Sequence, residues 1–320
     1  MKEILKLKPA YKDYLWGGNN LKTKFNKKCD YDIVAESWEL SVHNDGPSII
    51  DGGSHDKELF KDYINSMPKE ILGLNANNFT YFPILIKLID SSKPLSIQVH
   101  PDDEYGLKHE GEYGKTEAWY ILDAKEDSYL YVGFNQSITK DKLRESIKNN
   151  TITNYLNKVK VNRGDVAYIE AGTVHAIGEG ITLLEVQQNS NSTYRVYDFD
   201  RTDQYGNKRE LHIDKAIDVA KLDNNNKAVY QIDYKDYETY SCGSIVTCKY
   251  FNAISYIVKE SVDLYIDNTS FKIVIVTDGK GSINANNKIY QLSKGDTYFI
   301  PANYENITII GNCEFVLIGI

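Results

Sequence analysis

Pro94-Leu95-Ser96-Ile97-Gln98-Val99-His100-Pro101-Asp102-Asp103 is the stretch from which the rest of the chain can be read. Leu95, Ile97 and Val99 alternate with Ser96, Gln98 and His100, so a strand here sends its apolar side chains to one face and its polar ones to the other. Pro101 has no amide hydrogen to give to a ladder and ends the strand, leaving His100 at its rim. Gln98 and His100, two apart on one pleated face, have the spacing to chelate a single ion. A strand-end histidine hydrogen-bonded at the surface satisfies the same spacing, and the residues alone leave both readings open.

The chain has 320 residues, 42% of them hydrophobic, enough for one large domain or two modest ones and too apolar for a disordered protein. A net charge of -8 and a pI near 5.4 argue against nucleic-acid or anionic-membrane partners. The run Lys158 to Arg163 carries only three basic residues and reads as a solvated strand edge. Cys29, Cys242, Cys248 and Cys313 have no C-x-x-C spacing, and Met1-Lys-Glu-Ile-Leu-Lys6 lacks a secretory apolar core, so a cytoplasmic protein with free thiols is expected. No apolar run approaches the roughly 18 residues of a membrane span. The expected assembly is a monomer or weak homodimer.

Upstream, Tyr14-Leu-Trp-Gly-Gly18 reads as a loop in which Gly17 and Gly18 permit positive φ, and Ser37 to His43 as a strand closed by Asn44-Asp-Gly-Pro47. Trp16 and Trp38 read as core. Leu59, Tyr63, Ile64 and Met67 recur at helical spacing within 56–75, with Gly73 as the C-cap. Strands follow at Phe82 to Ile89, Leu95 to His100, Glu117 to Leu122 and Tyr129 to Phe134. Leu143 and Ile147 mark a helical insertion in 139–158; strands resume at Val166 to Glu170, Thr182 to Gln187 and Thr193 to Phe199. A last helical pattern in 212–222 leads into Asp223-Asn-Asn-Asn226, read as a linker between domains 1–225 and 226–320.

Beyond it the pattern is strands alone, at Ala253 to Val258, Phe271 to Val276, Asp296 to Ile300, Thr308 to Ile310 and Cys313 to Ile318, with a turn at Asp278-Gly279. The two halves share a phrase: Arg163-Gly-Asp-Val-Ala-Tyr-Ile-Glu-Ala-Gly-Thr-Val-His175 and Lys294-Gly-Asp-Thr-Tyr-Phe-Ile-Pro-Ala-Asn303. Only the first copy ends in a histidine.

That phrase resembles the second sequence motif of the cupins, double-sheet β-barrels that often hold a metal. Leu15-Trp-Gly-Gly18, Ala35-Glu-Ser-Trp-Glu39, Pro94 to Pro101, Lys115-Thr-Glu-Ala-Trp119, Ala171-Gly-Thr-Val-His175, and Gln187-Gln-Asn-Ser190 through Tyr194-Arg-Val-Tyr-Asp198 narrow the resemblance to the short bacterial type I phosphomannose isomerases. The resemblance implies a mainly β fold of two tandem cupin or jelly-roll barrels with short helical insertions. It places a metal-binding catalytic cupin before the linker and one without metal ligands after it. It also implies one Zn²⁺ per chain on Gln98, His100, Glu117 and His175, a donor set that suits a non-redox Lewis acid. Singly, Glu117 also reads as a surface carboxylate and His175 as a turn residue.

The implied reaction interconverts mannose 6-phosphate and fructose 6-phosphate, moving a proton between C2 and C1 through an enediolate. The resemblance sets Arg195, Lys87, Lys115 and Ser96 around the phosphosugar, and Glu185 as a base or the support of one. Lys87, the lone charge in an apolar strand, either snorkels at a sheet edge or points into a polar cavity. His43, His55, His109 and His212 are expected at the surface. Asn191 departs from the family, which usually has Asp there, and so puts in doubt any acid–base role given to that position. Two rivals to the isomerase are an iron-dependent cupin oxygenase and a non-catalytic sugar-phosphate-binding cupin.

Overall fold

The computed structural model describes residues 2–202, 205–224 and 229–320. Their backbone contacts divide the chain into two units: 14–18 with 89–231, and 1–13 with 19–88 and 232–320. This grouping differs from a single break after residue 225, and the strand ladders give the reason. Leu5–Lys8 pairs with Thr297–Ile300, so the N-terminal strand is built into the C-terminal sheet. Residues 225 and 226, at the end of the expected linker, lie outside the described residues.

In the unit containing 89–231, one five-stranded sheet runs in the order Tyr194–Tyr197, Ile97–Val99, His175–Ile177, Tyr129–Phe134, Leu156–Lys160. The strands Val229–Gln231, Asp165–Ile169, Glu117–Ala124 and Ile181–Gln188 lie side by side in a second sheet. The alternation read from Leu95 to His100 has its expected consequence. Ile97 and Val99 are buried in a core with Phe134, Val174, Ala176, Tyr194 and Val196, beneath Leu143 and Ile147 of the helix Lys140–Lys148 and Ala216 and Ile217 of the helix Ile213–Val219. Each such aliphatic side chain contributes about 1.5–3 kcal/mol by leaving water. That burial fixes the register and turns Ser96, Gln98 and His100 to the other face.

A third helix here, Asp103–His109, was not anticipated from sequence. Its start is nevertheless written in the chain: the Asp102 carboxylate caps it by accepting from the Tyr105 amide at 2.9 Å.

In the other unit, a ten-stranded sheet contains Leu5–Lys8, Ile49–Ile50 and the strands from Lys235 to Gly319. Its core holds Val274, Val276, Ile283, Ile300, Ile307, Ile309 and Phe315. Asp278-Gly279 is not a chain reversal: Lys272–Ala285 is one strand, with a register shift between Val276 and Asp278 and Gly279 at φ 72°. Likewise Thr308 to Ile310 and Cys313 to Ile318 are two parts of one strand, Glu305–Gly319. The helix in 56–75 spans Phe60–Ser66, before Pro68, and Gly73 (φ 87°) sits between two 3₁₀ turns rather than capping it.

The repeated Gly-Asp phrase is a repeated local structure. Gly164 and Gly295 have φ of 94° and 90°, conformations that suit glycine. The following aspartates accept from the amide three residues back, Asp165 from Asn162 at 2.8 Å and Asp296 from Ser293 at 2.9 Å. Gly17 and Gly18, by contrast, do not have positive φ. Gly18 is required for space, since a Cβ there would lie 2.5 Å from the Asp90 carboxylate.

Candidate metal centre and active site

His175 opens the strand His175–Ile177 and is the direct cross-strand partner of Gln98, and Arg195 is the partner of Gln98 on its other side. Cross-strand partners share a face, so these three side chains form a row across the sheet. Glu117 opens a strand of the second sheet, and His100 follows the strand Ile97–Val99. The ligating atoms of His100, Glu117 and His175 lie within 4.8 Å of one another, the one such cluster among the described residues, and all three side chains are buried. His100 Nε2 is 3.3 Å and His175 Nε2 3.7 Å from the Glu117 oxygens. The Gln98 amide end lies 3.5 and 3.4 Å from the same two ring nitrogens.

Both rings are held in one tautomer. His100 Nδ1–H donates to the Ser192 carbonyl and His175 Nδ1–H to that of Thr173, each at 2.8 Å. A proton on Nδ1 leaves Nε2 as the lone-pair nitrogen, and both Nε2 atoms face one point. Burial, chiefly, lowers the His175 pKa to about 4, with the Lys115 charge acting in the same direction. The ring is therefore neutral at physiological pH and ready to donate. Turning the Gln98 amide by half a rotation presents its oxygen instead of its nitrogen. Two imidazoles, a carboxylate and an amide oxygen around one buried point are a donor set that fits a divalent ion such as zinc.

Lys115 reaches this cluster, 3.0 Å from Glu117 and 3.4 Å from His100 Nε2. Ser96 is buried on the polar face of the Gln98 strand. Glu185 lies one step from this cluster. Its carboxylate accepts from Trp119 Nε1 at 2.8 Å, and the Trp119 ring packs edge-on against His175 at 5.3 Å.

Arg195 is half-buried and donates to the Glu210 carbonyl at 2.9 Å. The acidic neighbour Asp198 is instead engaged by Arg201 and Arg209. Burial first, then the charges of Arg209 and Arg201, lower the Arg195 pKa. Lys87 belongs to the other unit and is buried rather than snorkelling, 3.7 Å from Glu36 and over the Trp38 ring at 5.0 Å. Trp16 and Trp38 are buried, as expected. Of the remaining histidines only His109 is exposed; His43, His55 and His212 are half-buried. His212 Nδ1 accepts from the Arg195 amide at 3.1 Å.

Sequence reasoning missed the groups that fasten the rim. Gln188 accepts from the Thr116 amide at 3.0 Å and donates to Asp103 at 2.7 Å. Glu112 gathers the turn at Ser190 to Ser192. Glu110 holds Tyr194 and Lys215 at 2.8 and 2.7 Å. For Glu110 and Glu112 the signal in sequence is the acidic run after Pro101, which reads equally well as a solvated surface.

The four cysteines are free, and burial pushes the Cys313 thiol up to about 11. Among the described residues no helix is long and apolar enough to cross a membrane.

The family models for the type I phosphomannose isomerase catalytic domain and the mannose-6-phosphate isomerase cupin domain match residues 4–129 and 242–320. Mannose-6-phosphate isomerase of Streptococcus mutans is 35% identical over 317 residues, covering 99% of this chain and 98% of its own. The crystal structure of mannose 6-phosphate isomerase from Bacillus subtilis superposes with a TM-score of 0.90 at 32% identity, over 100% of both chains. A zinc-bound mannose 6-phosphate isomerase, 17% identical, shares the fold at a TM-score of 0.79 over 98% of each chain. Matched along its whole length in sequence and in fold, this chain belongs to the type I mannose-6-phosphate isomerase family.

Proposed function

We propose that this enzyme interconverts mannose 6-phosphate and fructose 6-phosphate, using one zinc ion held by Gln98, His100, Glu117 and His175. The observation that supports the reading most is the pair of tautomer-locked imidazoles whose Nε2 atoms meet a buried carboxylate. Zinc bound there would supply Lewis-acid stabilisation of negative charge on the sugar oxygens, the charge that an enediolate route between C2 and C1 develops.

The chain's own residues do the rest. Lys115, whose ammonium lies beside Glu117, adds positive charge next to the reacting oxygens. Arg195 recognises the phosphate: its charge is not spent on Asp198, and its fork geometry matches phosphate oxygens. Glu185 acts through Trp119, fixing the ring against which His175 packs. Ser96 lies on the ligand face as a hydroxyl for the sugar. Lys87 keeps, on family resemblance alone, its proposed part as a further cation for substrate. The second Gly-Asp phrase ends in Asn303, which has no imidazole to offer, in keeping with one metal per chain.

A coupled assay of fructose 6-phosphate formation from mannose 6-phosphate tests this. Activity that disappears on chelation and returns with zinc is expected. Activity indifferent to chelation, or absent from the zinc-loaded protein, contradicts it.

A further inference from the structure

The two metal-facing histidines are oriented by different means. His175 Nδ1–H donates to a carbonyl two residues away, Thr173, at 2.8 Å. His100 Nδ1–H donates across 92 residues, to Ser192. The Ser192 carbonyl sits in the connection between the strands Ile181–Gln188 and Tyr194–Tyr197, where no strand ladder fixes the backbone.

A carboxylate oxygen fastens it. Glu112 Oε2 accepts from Ser190 Oγ at 2.9 Å, the Asn191 amide at 2.8 Å and Ser192 Oγ at 3.1 Å. Such charge-assisted bonds are stronger than neutral ones, and three on one oxygen define where the turn lies. Ser190 is fully buried; its hydroxyl also accepts from the Ser192 amide at 3.2 Å, and its carbonyl takes the Gln187 side-chain amide at 2.6 Å. Glu112 has a firm base of its own. The segment that carries it is tied by Gly114 N–H to Asp103 at 3.0 Å and by Lys115 N–H to the Pro101 carbonyl at 2.9 Å.

We infer that Glu112 is a positioning residue for the metal site: through the 190–192 turn it holds the Ser192 carbonyl on His100 Nδ1 and keeps His100 Nε2 available as a ligand. The inference rests on the zinc reading of the site. Outer-shell partners of metal-bound histidines typically govern 10- to 100-fold in metal affinity. Glu112 acts through a backbone carbonyl, one link further out, and the lower part of that range is expected.

The test is a chelator-competition titration of the full-length protein with zinc, for wild type, Glu112→Ala and Glu112→Gln. It is paired with ¹⁵N imidazole spectra of the metal-free forms. Glu112→Ala is expected to raise the zinc Kd about tenfold and to move His100 from the Nδ1–H form toward a tautomer mixture, with His175 unchanged as the internal reference. Glu112→Gln keeps one acceptor oxygen and should fall in between; it carries the test alone if the alanine variant does not fold. Wild-type affinity with an unaltered His100 spectrum overturns the inference. So does a loss in which His175 shifts equally and the melting temperature collapses, which marks Glu112 as a general staple. If wild-type zinc binding is unaffected by His175→Ala, the zinc reading itself fails, and the inference with it.

Discussion

His175 stands directly opposite Gln98 in an antiparallel ladder, and the Gln98 amide end lies 3.4 Å from His175 Nε2. The ladder is made by the backbone, so the side chain at 98 can be changed without undoing the pairing that presents His175. Gln98→Leu, close in volume, is therefore expected to fold normally and to weaken zinc by at least about tenfold, measured by chelator competition. Wild-type affinity in that variant removes Gln98 from the ligand set.

The buried His175 gives the metal-free protein an acid sensitivity of known sign. Its folded pKa, about 4, lies below the ordinary value of 6.5. The folded state therefore binds its proton less readily than the unfolded chain. The stability this ring contributes is fully present above pH 6.5 and is lost progressively as pH falls toward 4. The difference between those values corresponds to about 3 kcal/mol at the acid end. Melting temperatures of chelated wild type and His175→Asn, followed from pH 7 to 4.5, should converge as pH falls. Parallel curves would show that His175 is not the group responsible.

Arg195→Lys separates phosphate recognition from structure. Arg201 and Arg209 already serve Asp198, so the substitution leaves that ion-pair cluster intact. The expected result is a ten- to hundredfold lower kcat/KM for mannose 6-phosphate, about 1.4–2.7 kcal/mol, with melting temperature and zinc content nearly unchanged. An equal loss toward unphosphorylated mannose would take Arg195 out of the phosphate site.

Asn191 meets Glu112 through its backbone amide, which any residue but proline retains. Asn191→Asp is accordingly expected to leave kcat/KM within about twofold. A tenfold rise, or a shifted pH profile, would show that a carboxylate at 191 relays a proton.

What was legible in the sequence, and what was not, follows from the range of the interactions. Alternation from Leu95 to His100 is local, and it separates the core face of Ile97 and Val99 from the polar face that carries Gln98 and His100. The gathering of His100, Glu117 and His175 was reached only through family resemblance, since no spacing rule joins residues from two sheets. The lock on His100 was out of reach in both ways: its acceptor is a main-chain carbonyl, which any residue supplies, held by a glutamate that looks like surface charge. Asp278-Gly279 misled because a glycine of positive φ serves a bulge as well as a turn. The pairing of Leu5–Lys8 with Thr297–Ile300 joins the ends of the chain, which no local pattern announces.

The central claim, one catalytic zinc on the His100–Glu117–His175 cluster, is tested most directly by titrating zinc into the chelated protein while following mannose 6-phosphate turnover and bound metal together. Activity should rise in step with occupancy and level off at one ion per chain, and His175→Ala should lose both. Full turnover in the metal-free protein, or a plateau only at two tightly held ions, would contradict the account.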